Sequence, residues 1–234
     1  MSATRLPGKP LLKINNLSII STVFKKAKEA NIGDVIVATE DKEILKKKKK
    51  NGGNAILTDK GHKTGTDRIF QALKKYGDDN IDFVMNIQGD EPMINIEDIK
   101  SLNKKMIEQE ANMGTLASEV NQDSYYDNPN VVKVKKSELL DFQNFKMVIN
   151  FQRKISMIEK NIYHHIGVYC YSKDILEKFV NLEQTDNEKK NKLEQLRALD
   201  NEININVALA KFSPIGVDTM EDYLAIKKIM EYKN

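Results

Sequence analysis

The chain has 234 residues, of which 40% are hydrophobic and 30% are charged, and its formal net charge at pH 7 is only +3. This length suffices for one sizeable core or two small lobes, and the near balance of charge gives no reason to expect nucleic-acid binding. A single cysteine, Cys170, excludes an intrachain disulfide and a thiolate metal cluster, which suits a reducing compartment. No apolar run approaches the ~20 residues that span a bilayer, and the N-terminus lacks the apolar segment of a signal peptide. The sequence therefore predicts a cytoplasmic protein without membrane insertion.

The first half of the chain predicts alternating helices and strands. Helical spacing of apolar residues indicates helices over 17–29, 40–50 and 66–76, and β-branched runs indicate strands over 34–39, 55–58 and 81–87. The last of these strands is almost continuously apolar, which is typical of a strand covered on both faces. This alternation predicts an α/β fold with a doubly wound, mostly parallel sheet, in which ligands bind beyond the carboxyl ends of the strands.

The second half is more mixed. We expect strands over 113–120, 131–135, 165–171 and 203–210, and helices over 173–181, 188–199 and 220–232. Since no internal repeat or Pro/Gly-rich linker interrupts the chain, we predict one domain over 1–234, with a smaller β-containing lobe inserted at about 121–200. The lysine run from Lys46 to Lys50 has no interleaved aromatic residues, so it indicates a solvated last helical turn rather than a nucleic-acid site.

Two cations flank a Pro-Gly turn near the start of the chain. Arg5 and Lys9 enclose Pro7-Gly8, and together they could wrap a polyphosphate, with Arg5 as a bidentate fork and Lys9 as a point charge. A surface turn with two scattered cations explains the segment about as well.

A second segment follows the strongest predicted strand. Asp90, in Gln88-Gly89-Asp90-Glu91-Pro92, is well placed to hold Mg²⁺ against substrate phosphates, and Gly89 would allow close approach of a ligand. The alternative is a plain polar turn. Asp218 precedes the last predicted helix, where it is either a cap together with Thr219 or a second carboxylate on the same metal.

Taken together, these segments resemble one family, the 3-deoxy-manno-octulosonate (Kdo) cytidylyltransferases. The resemblance is carried in order along nearly the whole chain by RLPGKPL at 5–11, IVAT at 36–39, HKTGTDR at 62–68, NIQGDEPMI at 86–94, NPNVVKV at 128–134, HIGVYCY at 165–171, LEQLRAL at 193–199 and GVDTMED at 216–222. Neighbouring sugar nucleotidyltransferases share the polyphosphate loop, but not RLPGKPL joined to QGDEP and LEQLR.

The resemblance implies an enzyme that transfers CMP from CTP to an acidic 3-deoxy sugar, with Mg²⁺ as cofactor and a homodimer as assembly. It implies that Arg5 and Lys9 hold the triphosphate and that Asp90 and Asp218 hold the metal. The remaining implied contacts are to cytidine from Thr64, Gly65 and Arg68, and to the sugar from Gln88, His165, Glu194 and Gln195. Two of the sugar contacts have simpler interpretations, since His165 could be a hydrogen-bonded core histidine and Glu194 could pair with Arg197 across one helical turn.

The chain departs from the family pattern in two regions. The family opens with a buried strand and Pro-Ala-Arg before this loop, so a first strand is expected to be missing unless Met1 is not the natural start. On the sugar side, Asn144 stands where an Arg is expected, His164 stands where Lys or Arg is usual, and Asn191 replaces a carboxylate. These changes keep two alternatives open: a cytidylyltransferase for a related ulosonic acid, such as an amino-substituted Kdo, or an inactive nucleotide-binding relative.

Overall fold

The structure, a computed structural model, describes residues 6–50, 53–120, 126, 128–155 and 161–232, without the side chains of 48–50. The chain divides into two compact units. Unit 1 comprises Met1–Asn80, Asn86–Ile99 and Pro214–Asn234, and unit 2 comprises Ile81–Met85 and Lys100–Ser213. Within the described ranges, no helix is both long enough and apolar enough to cross a membrane.

Unit 1 begins with a short 3-10 helix, Lys9–Leu11, and a small hairpin. Its other elements are β1 (Lys13–Ile14), β2 (Leu17–Ser18), α1 (Ile19–Ala30), β3 (Val37–Thr39), α2 (Lys42–Lys50), β4 (Ala55–Leu57), α3 (Gly65–Tyr76) and α8 (Met220–Tyr232). β3 and β4 pair in parallel, with Val37 opposite Ala55. The hairpin turns through Asn15 and Asn16, both at positive φ, which is the conformation that a two-residue hairpin favours and that Asn tolerates.

A small apolar core supports the N-terminal loop of unit 1. Its buried members come from both ends of the chain, namely Leu6, Ile14, Ile19, Val217 and Ile226. Partly buried side chains of Leu12, Met93, Tyr223 and Met230 pack against them. Burial of such residues contributes roughly 1.5–3 kcal/mol per fully buried aliphatic side chain, so this cluster fixes the N-terminal loop beside the start of α8.

Unit 2 is built on a mixed sheet. The strands are β5 (Phe83–Asn86), β6 (Met113–Ser118), β7 (Lys133–Lys135), β8 (Lys146–Met147), β9 (Asn150–Gln152), β10 (Ile162–Ser172) and β11 (Asn206–Leu209). Their order in the sheet is β8-β11-β6-β10-β7-β9, and β5 also pairs with β10. The helices are α5 (Lys173–Val180), α6 (Asp186–Asn191) and α7 (Leu196–Asp200), and α4 (Ile96–Glu108) is divided between the units. All six residues of β6 are buried, so this strand forms the centre of the core of unit 2.

The prediction of a mostly parallel sheet is wrong for unit 2. β6 and β11 are parallel, but β10 runs antiparallel to both β6 and β7, and β9 and β8 are antiparallel to their neighbours. The alternation that predicted parallel pairing is a property of the first half only, where β3 and β4 do pair in parallel.

The prediction of one helix over 188–199 is also wrong. The structure has two short helices, α6 and α7, separated by Lys192, which has φ 53° and ends α6 in the left-handed conformation. Helix α4 was not predicted, although Ile99, Leu102 and Met106 are completely buried at helical spacing. The other predicted helices and strands are present, with bounds shifted by a few residues.

Candidate active site

Lys9, Asp90 and Asp218 meet in unit 1. The Nζ of Lys9 donates to Oδ2 of Asp90 at 2.6 Å and to Oδ1 of Asp218 at 3.3 Å. The Lys9 side chain is 10% exposed, whereas Asp90 is 33% and Asp218 is 53% exposed. One buried ammonium therefore lies between two carboxylates that remain accessible to solvent, and the structure brings Asp90 and Asp218 together. Their role as metal ligands stays a prediction.

Backbone contacts bring these three side chains together. Lys9 opens the 3-10 helix after Gly8, which has φ 72°, a conformation that glycine adopts without strain. Asp90 follows β5, and its carbonyl accepts a 2.9 Å hydrogen bond from the N–H of Val217. Since Val217 precedes Asp218 and belongs to the buried cluster, this bond fixes the second carboxylate next to the first.

The cap of α8 is formed by Thr219 and Asp222. The N–H of Asp222 donates to Oγ1 of Thr219 at 3.1 Å, and the N–H of Thr219 donates to Oδ2 of Asp222 at 2.8 Å. These reciprocal bonds form a capping box. The sequence analysis left open whether Asp218 caps this helix. In the structure the cap is made by Thr219 and Asp222, and the carboxylate of Asp218 bonds to Lys9 instead.

Glu91 adds a third carboxyl group that the sequence analysis did not single out. Its Oε2 is buried and has no hydrogen-bond partner among the described residues. Burial, together with the negative charges of Asp90 and Asp218, raises the pKa of Glu91 to about 8, so the group is protonated at neutral pH. The signal that could have found it is its place next to Asp90 in the same loop.

The loop that carries Asp90 packs tightly on α1. A Cβ built on Gly89 would lie 2.8 Å from Cδ1 of Ile20, so any side chain there would displace Ile20 or the loop. Gln88, predicted to contact the sugar, is half-buried in the same loop, and its carbonyl accepts from the N–H of Glu91 at 3.4 Å. Glycine at position 89 thus serves packing, and the close approach of a ligand there stays a prediction.

The predicted cytidine contacts lie at the start of α3 in unit 1. Thr64 caps this helix by accepting from the N–H of Asp67 at 3.1 Å, and Asp67 accepts in return from the N–H of Thr64. Arg68 donates to Oγ1 of Thr58 at 2.7 Å and to Oε2 of Glu40 at 2.8 Å. The hydrogen bond from Arg68 lowers the pKa of Glu40, so this pair is ionised.

His165, a predicted sugar contact, lies on β10 in unit 2. Oγ1 of Thr115 lies 3.1 Å from Nε2 of His165, and the same hydroxyl donates to the carbonyl of Val168 at 2.7 Å. Burial, with a smaller effect from His164, lowers the pKa of His165 to about 3 and keeps the ring neutral. His165 therefore has the contacts of a hydrogen-bonded core histidine, the simpler interpretation given above.

Glu194 and Gln195 lie between α6 and α7, not in the middle of a helix as predicted. Arg197 makes its short bonds to Glu188, at 2.8 Å from Nε and 2.7 Å from Nη2, while its nearest approach to Glu194 is 4.0 Å. The predicted pairing of Arg197 with Glu194 is thus secondary to a buried pair that sequence spacing did not suggest. Tyr169 lies near both this turn and His165. Its ring centroid is 5.3 Å from that of His165, and burial, followed by the charges of Tyr171 and Glu194, raises the pKa of Tyr169.

The three residues that depart from the family pattern on the sugar side, Asn144, His164 and Asn191, are each hydrogen-bonded to nearby groups. Asn144 donates from Nδ2 to the carbonyl of Leu139 at 3.2 Å and to Asp141 at 2.9 Å. The side chain of Asn191 bonds to Asn187 one turn earlier in α6. His164 bonds to Ser213, and burial with the nearby charge of Lys133 lowers the pKa of His164 to about 4, so it is neutral.

Arg153 was missed by the sequence analysis. It directly follows β9. The guanidinium bonds to three backbone carbonyls in unit 2.

Two carboxylates around one cation suit a magnesium site. Mg²⁺ is held by one or two protein carboxylates together with substrate phosphates, and Asp90 and Asp218 already converge on a positive charge. Across the described ranges, no three His, Cys, Asp or Glu side chains form a ready-made metal cage. Arg5, the other predicted triphosphate ligand, lies outside the described residues.

Comparison with known proteins gives consistent matches. A family model described as Cytidylyltransferase matches residues 1–205. A 3-deoxy-manno-octulosonate cytidylyltransferase of Afipia carboxidovorans is 41% identical over 232 residues, which cover 98% of this chain and 93% of that protein. One of the same name from Thermodesulfovibrio yellowstonii is 39% identical and covers 97% and 94% of the two chains.

Solved structures agree. The structure of a CMP:2-keto-3-deoxy-manno-octonic acid synthetase complexed with CTP has a TM-score of 0.87 at 30% identity, and the match covers 99% of this chain and 95% of that one. An apo UDP-glucose pyrophosphorylase has a TM-score of 0.74 at only 15% identity, which is a likeness of fold alone. The fold is accordingly the α/β fold of nucleotide-sugar transferases.

Proposed function

The chain belongs to the 3-deoxy-manno-octulosonate cytidylyltransferases, and we propose that it transfers CMP from CTP to the anomeric hydroxyl of Kdo. Pyrophosphate is released, and the activated sugar serves lipopolysaccharide biosynthesis in the cytoplasm. The observation that carries the proposal is the meeting of Lys9, Asp90 and Asp218 in a chain that matches such enzymes over nearly its full length.

In this reaction the anomeric oxygen forms a bond to the α-phosphorus as the bond from that phosphorus to the bridging oxygen of pyrophosphate breaks. The proton of the hydroxyl leaves to solvent. Little covalent chemistry is required of the protein, so its contribution is positioning and charge neutralisation. Lys9 suits this task because its buried ammonium is preorganised by two carboxylates and can be shared with phosphate oxygens.

Asp90 and Asp218 would hold Mg²⁺ in this proposal. When bound, the ion neutralises part of the triphosphate charge and holds its oxygens in a defined geometry. The protonated Glu91 beside them adds no further negative charge at neutral pH, which limits repulsion of the phosphates. Arg5 is assigned to the triphosphate together with Lys9, on the family resemblance.

Recognition of the two substrates is assigned to the remaining motif residues. Thr64, Gly65 and Arg68 surround cytidine in the proposal, supported by the capped start of α3 and the rigid Arg68–Glu40 pair. Gln88, His165, Glu194 and Gln195 contact the sugar. A neutral His165 suits this role as a hydrogen-bonding group rather than as a cation, because burial holds the pKa of His165 at about 3.

A related ulosonic acid is the second candidate substrate. His164 is neutral where the family has a cation, so the positive charge on the sugar side is reduced. A sugar that carries its own amino group needs less positive charge from the protein. Initial rates with Kdo and with an amino-substituted Kdo decide between them, because the preferred substrate has the larger kcat/KM.

We further propose a homodimer, with its interface in unit 2. Four large apolar side chains between residues 139 and 149 are more than half exposed, namely Leu139, Phe142, Met147 and Ile149. Large exposed apolar surfaces are typical of protein interfaces. Sedimentation velocity at micromolar concentration should give a dimer, and a monomer at all concentrations would contradict this part of the proposal.

The test of the function is pyrophosphate release from CTP, Mg²⁺ and Kdo. The Asp90→Asn variant should lose at least about 100-fold in rate, since the carboxylate is removed from the reaction centre while the size of the side chain is kept. Asp186→Asn, which alters a fully exposed carboxylate of α6, is the matched control and should be unchanged. Equal rates for wild type and Asp90→Asn would overturn the assignment of the site.

A further inference from the structure

The loop over residues 88–94, which carries Asp90, ends at a point that is fixed from α1. Ile94 is only 1% exposed, and its N–H donates to the carbonyl of Glu91 at 3.1 Å, which closes the end of the loop. Lys26, on α1, donates from Nζ to the carbonyl of Ile94 at 2.9 Å. Because Ile94 is buried, water cannot readily replace this hydrogen bond if it is lost.

Lys26 differs in its contacts from the lysine next to it. Its side chain is half-buried, and burial lowers the pKa of Lys26 although the charge of Glu29 opposes the shift. The side chain of Lys25 is 66% exposed, and its Nζ lies 3.7 Å from a carboxylate oxygen of Glu29 in a surface pair. Only Lys26 of these two donates to the loop, in a charge-assisted hydrogen bond of the stronger kind.

Helix α1 contacts the loop on both sides of Asp90. Before Asp90, the backbone at Gly89 packs against Ile20, so closely that a Cβ there would lie 2.8 Å from Cδ1 of Ile20. After Asp90, the contact is the bond from Lys26 to Ile94. The first contact limits how near the loop can approach α1, and the second prevents it from moving away.

The fixed loop also determines where the second carboxylate lies. The carbonyl of Asp90 accepts from the N–H of Val217 at 2.9 Å, and Asp218 follows directly. A displacement of the loop would therefore move both carboxylates relative to Lys9, which bonds to each of them.

We propose that Lys26 is a positioning residue, which holds the 88–94 loop so that Asp90 and Asp218 keep the mutual arrangement that CMP transfer requires. The inference rests on the proposed function for the role of the two carboxylates, whereas the anchoring of the loop does not. A reacting group misplaced by about 1 Å can cost about 100-fold in rate, so a loosened loop should slow the chemical step. The competing explanation is that Lys26 stabilises unit 1 as a whole.

Hydrogen exchange of the protein without ligands separates these explanations. In Lys26→Met, the amides of Glu91, Ile94 and Val217 should exchange at least about tenfold faster than in wild type, because their hydrogen bonds belong to the anchored loop. Amides inside α3, which lies elsewhere in unit 1, should exchange as before.

Three further variants support the comparison. Lys26→Arg should resemble wild type, since a guanidinium can also donate to the carbonyl of Ile94. Lys26→Gln, whose donor ends about one bond short, should behave as Lys26→Met does, and it serves as the test if the methionine variant does not fold. Lys25→Met, at the exposed neighbouring position, is the matched control and should change nothing.

Metal binding and kinetics supply the other readouts. Mn²⁺, titrated without nucleotide and followed by EPR, should bind Lys26→Met at least about fivefold more weakly than wild type, because the carboxylates are no longer held in one arrangement. In the transfer assay kcat should fall about tenfold or more, while KM for Kdo stays within about twofold. Lys26→Arg should restore most of both losses.

Three results would overturn the proposal. Faster exchange throughout unit 1 would mean that Lys26 only stabilises the fold, and unchanged exchange in the loop would mean that Lys26 does not anchor it. Faster exchange confined to the loop, with Mn²⁺ affinity and kcat unchanged, would mean that the anchor does not set the carboxylates. If the wild type transfers no CMP to Kdo, the proposed function fails, and exchange together with Mn²⁺ binding still decides whether Lys26 holds the two carboxylates.

Discussion

Lys136 is a fully buried cation whose Nζ has no hydrogen-bond partner in the described part of the chain. Burial, together with repulsion from Lys146, lowers the pKa of Lys136 to about 8. The unfolded chain, with an ordinary lysine, therefore binds more protons than the folded one between pH 8 and about 10.5, so this residue makes stability rise with pH in that window. Below pH 8 the side chain is charged in the folded protein, so the burial of this charge lowers the free energy of unfolding by its full amount.

Replacement by an apolar side chain of similar length should remove that cost. Lys136→Met is expected to raise the melting temperature by at least about 2 °C at pH 7, and the gain should shrink as the pH approaches 10.5. Thermal unfolding at several pH values measures both effects, with the exposed Lys154→Met as control. A lower melting temperature at pH 7 would mean that the ammonium has a stabilising partner.

At the same scale, the sequence predicted Lys9, Asp90 and Asp218 as one group, because their motifs could be matched together. It did not predict Glu91 or Arg153. The pKa of Glu91 depends on burial and on the charges of Asp90 and Asp218. Asp218 is more than a hundred positions away in the sequence, so this effect follows only from the fold. Arg153 was not predicted because only the pairing of β9 with β7 places it beside the NPNVVKV segment.

At the scale of elements, α6 and α7 are joined by the pair of Glu188 and Arg197, whose side chains are each 4% exposed. Burial alone would raise the pKa of Glu188, but hydrogen bonds from Arg197 and Gln184 outweigh it and leave the pKa lowered. The pair therefore contributes its full stability above the unfolded pKa of about 4.3, and loses it as the pH falls through the lower folded value.

Removing one partner should leave a buried uncompensated charge. Arg197→Met is expected to cost about 3–5 kcal/mol in urea unfolding, and the double variant Glu188→Leu/Arg197→Met should recover much of that loss. Glu43→Gln, in the exposed i,i+4 pair with Lys47, is the control and should change stability by less than about 0.5 kcal/mol. A single variant no worse than this control would refute a structural role for the pair.

These two short helices also explain why sequence reasoning failed over 188–199. Apolar spacing there is compatible with one helix, and the break at Lys192 depends on the Glu188–Arg197 pair and on the Arg153 bonds, which are contacts between distant parts of the sequence. Helix α4 was missed for a different reason, because the helical spacing of its apolar residues is visible in the sequence and was not used. Helices such as α3 and α8, with caps and periodicity in agreement, were predicted to within a residue.

At the scale of the whole molecule, the sequence predicted the α/β class but not the mixed sheet of unit 2. The prediction of one domain with a lobe inserted at about 121–200 stays a prediction. Local periodicity identifies strands, whereas their order and direction depend on pairing between residues far apart. β10 illustrates this, because it lies between β6 and β7 although both precede it in the chain. The predicted missing first strand concerns residues before those described and stays a prediction.

The central claim is transfer of CMP, and phosphorus NMR of one reaction mixture tests it most directly. With the full chain, CTP, Mg²⁺ and Kdo, the account predicts that the triphosphate signals are replaced by one phosphodiester signal and by pyrophosphate in equal amounts. Appearance of CMP or CDP without a sugar phosphodiester would show hydrolysis instead of transfer. That result, or unchanged CTP in a folded sample with both Kdo and its amino-substituted analogue, would contradict the account.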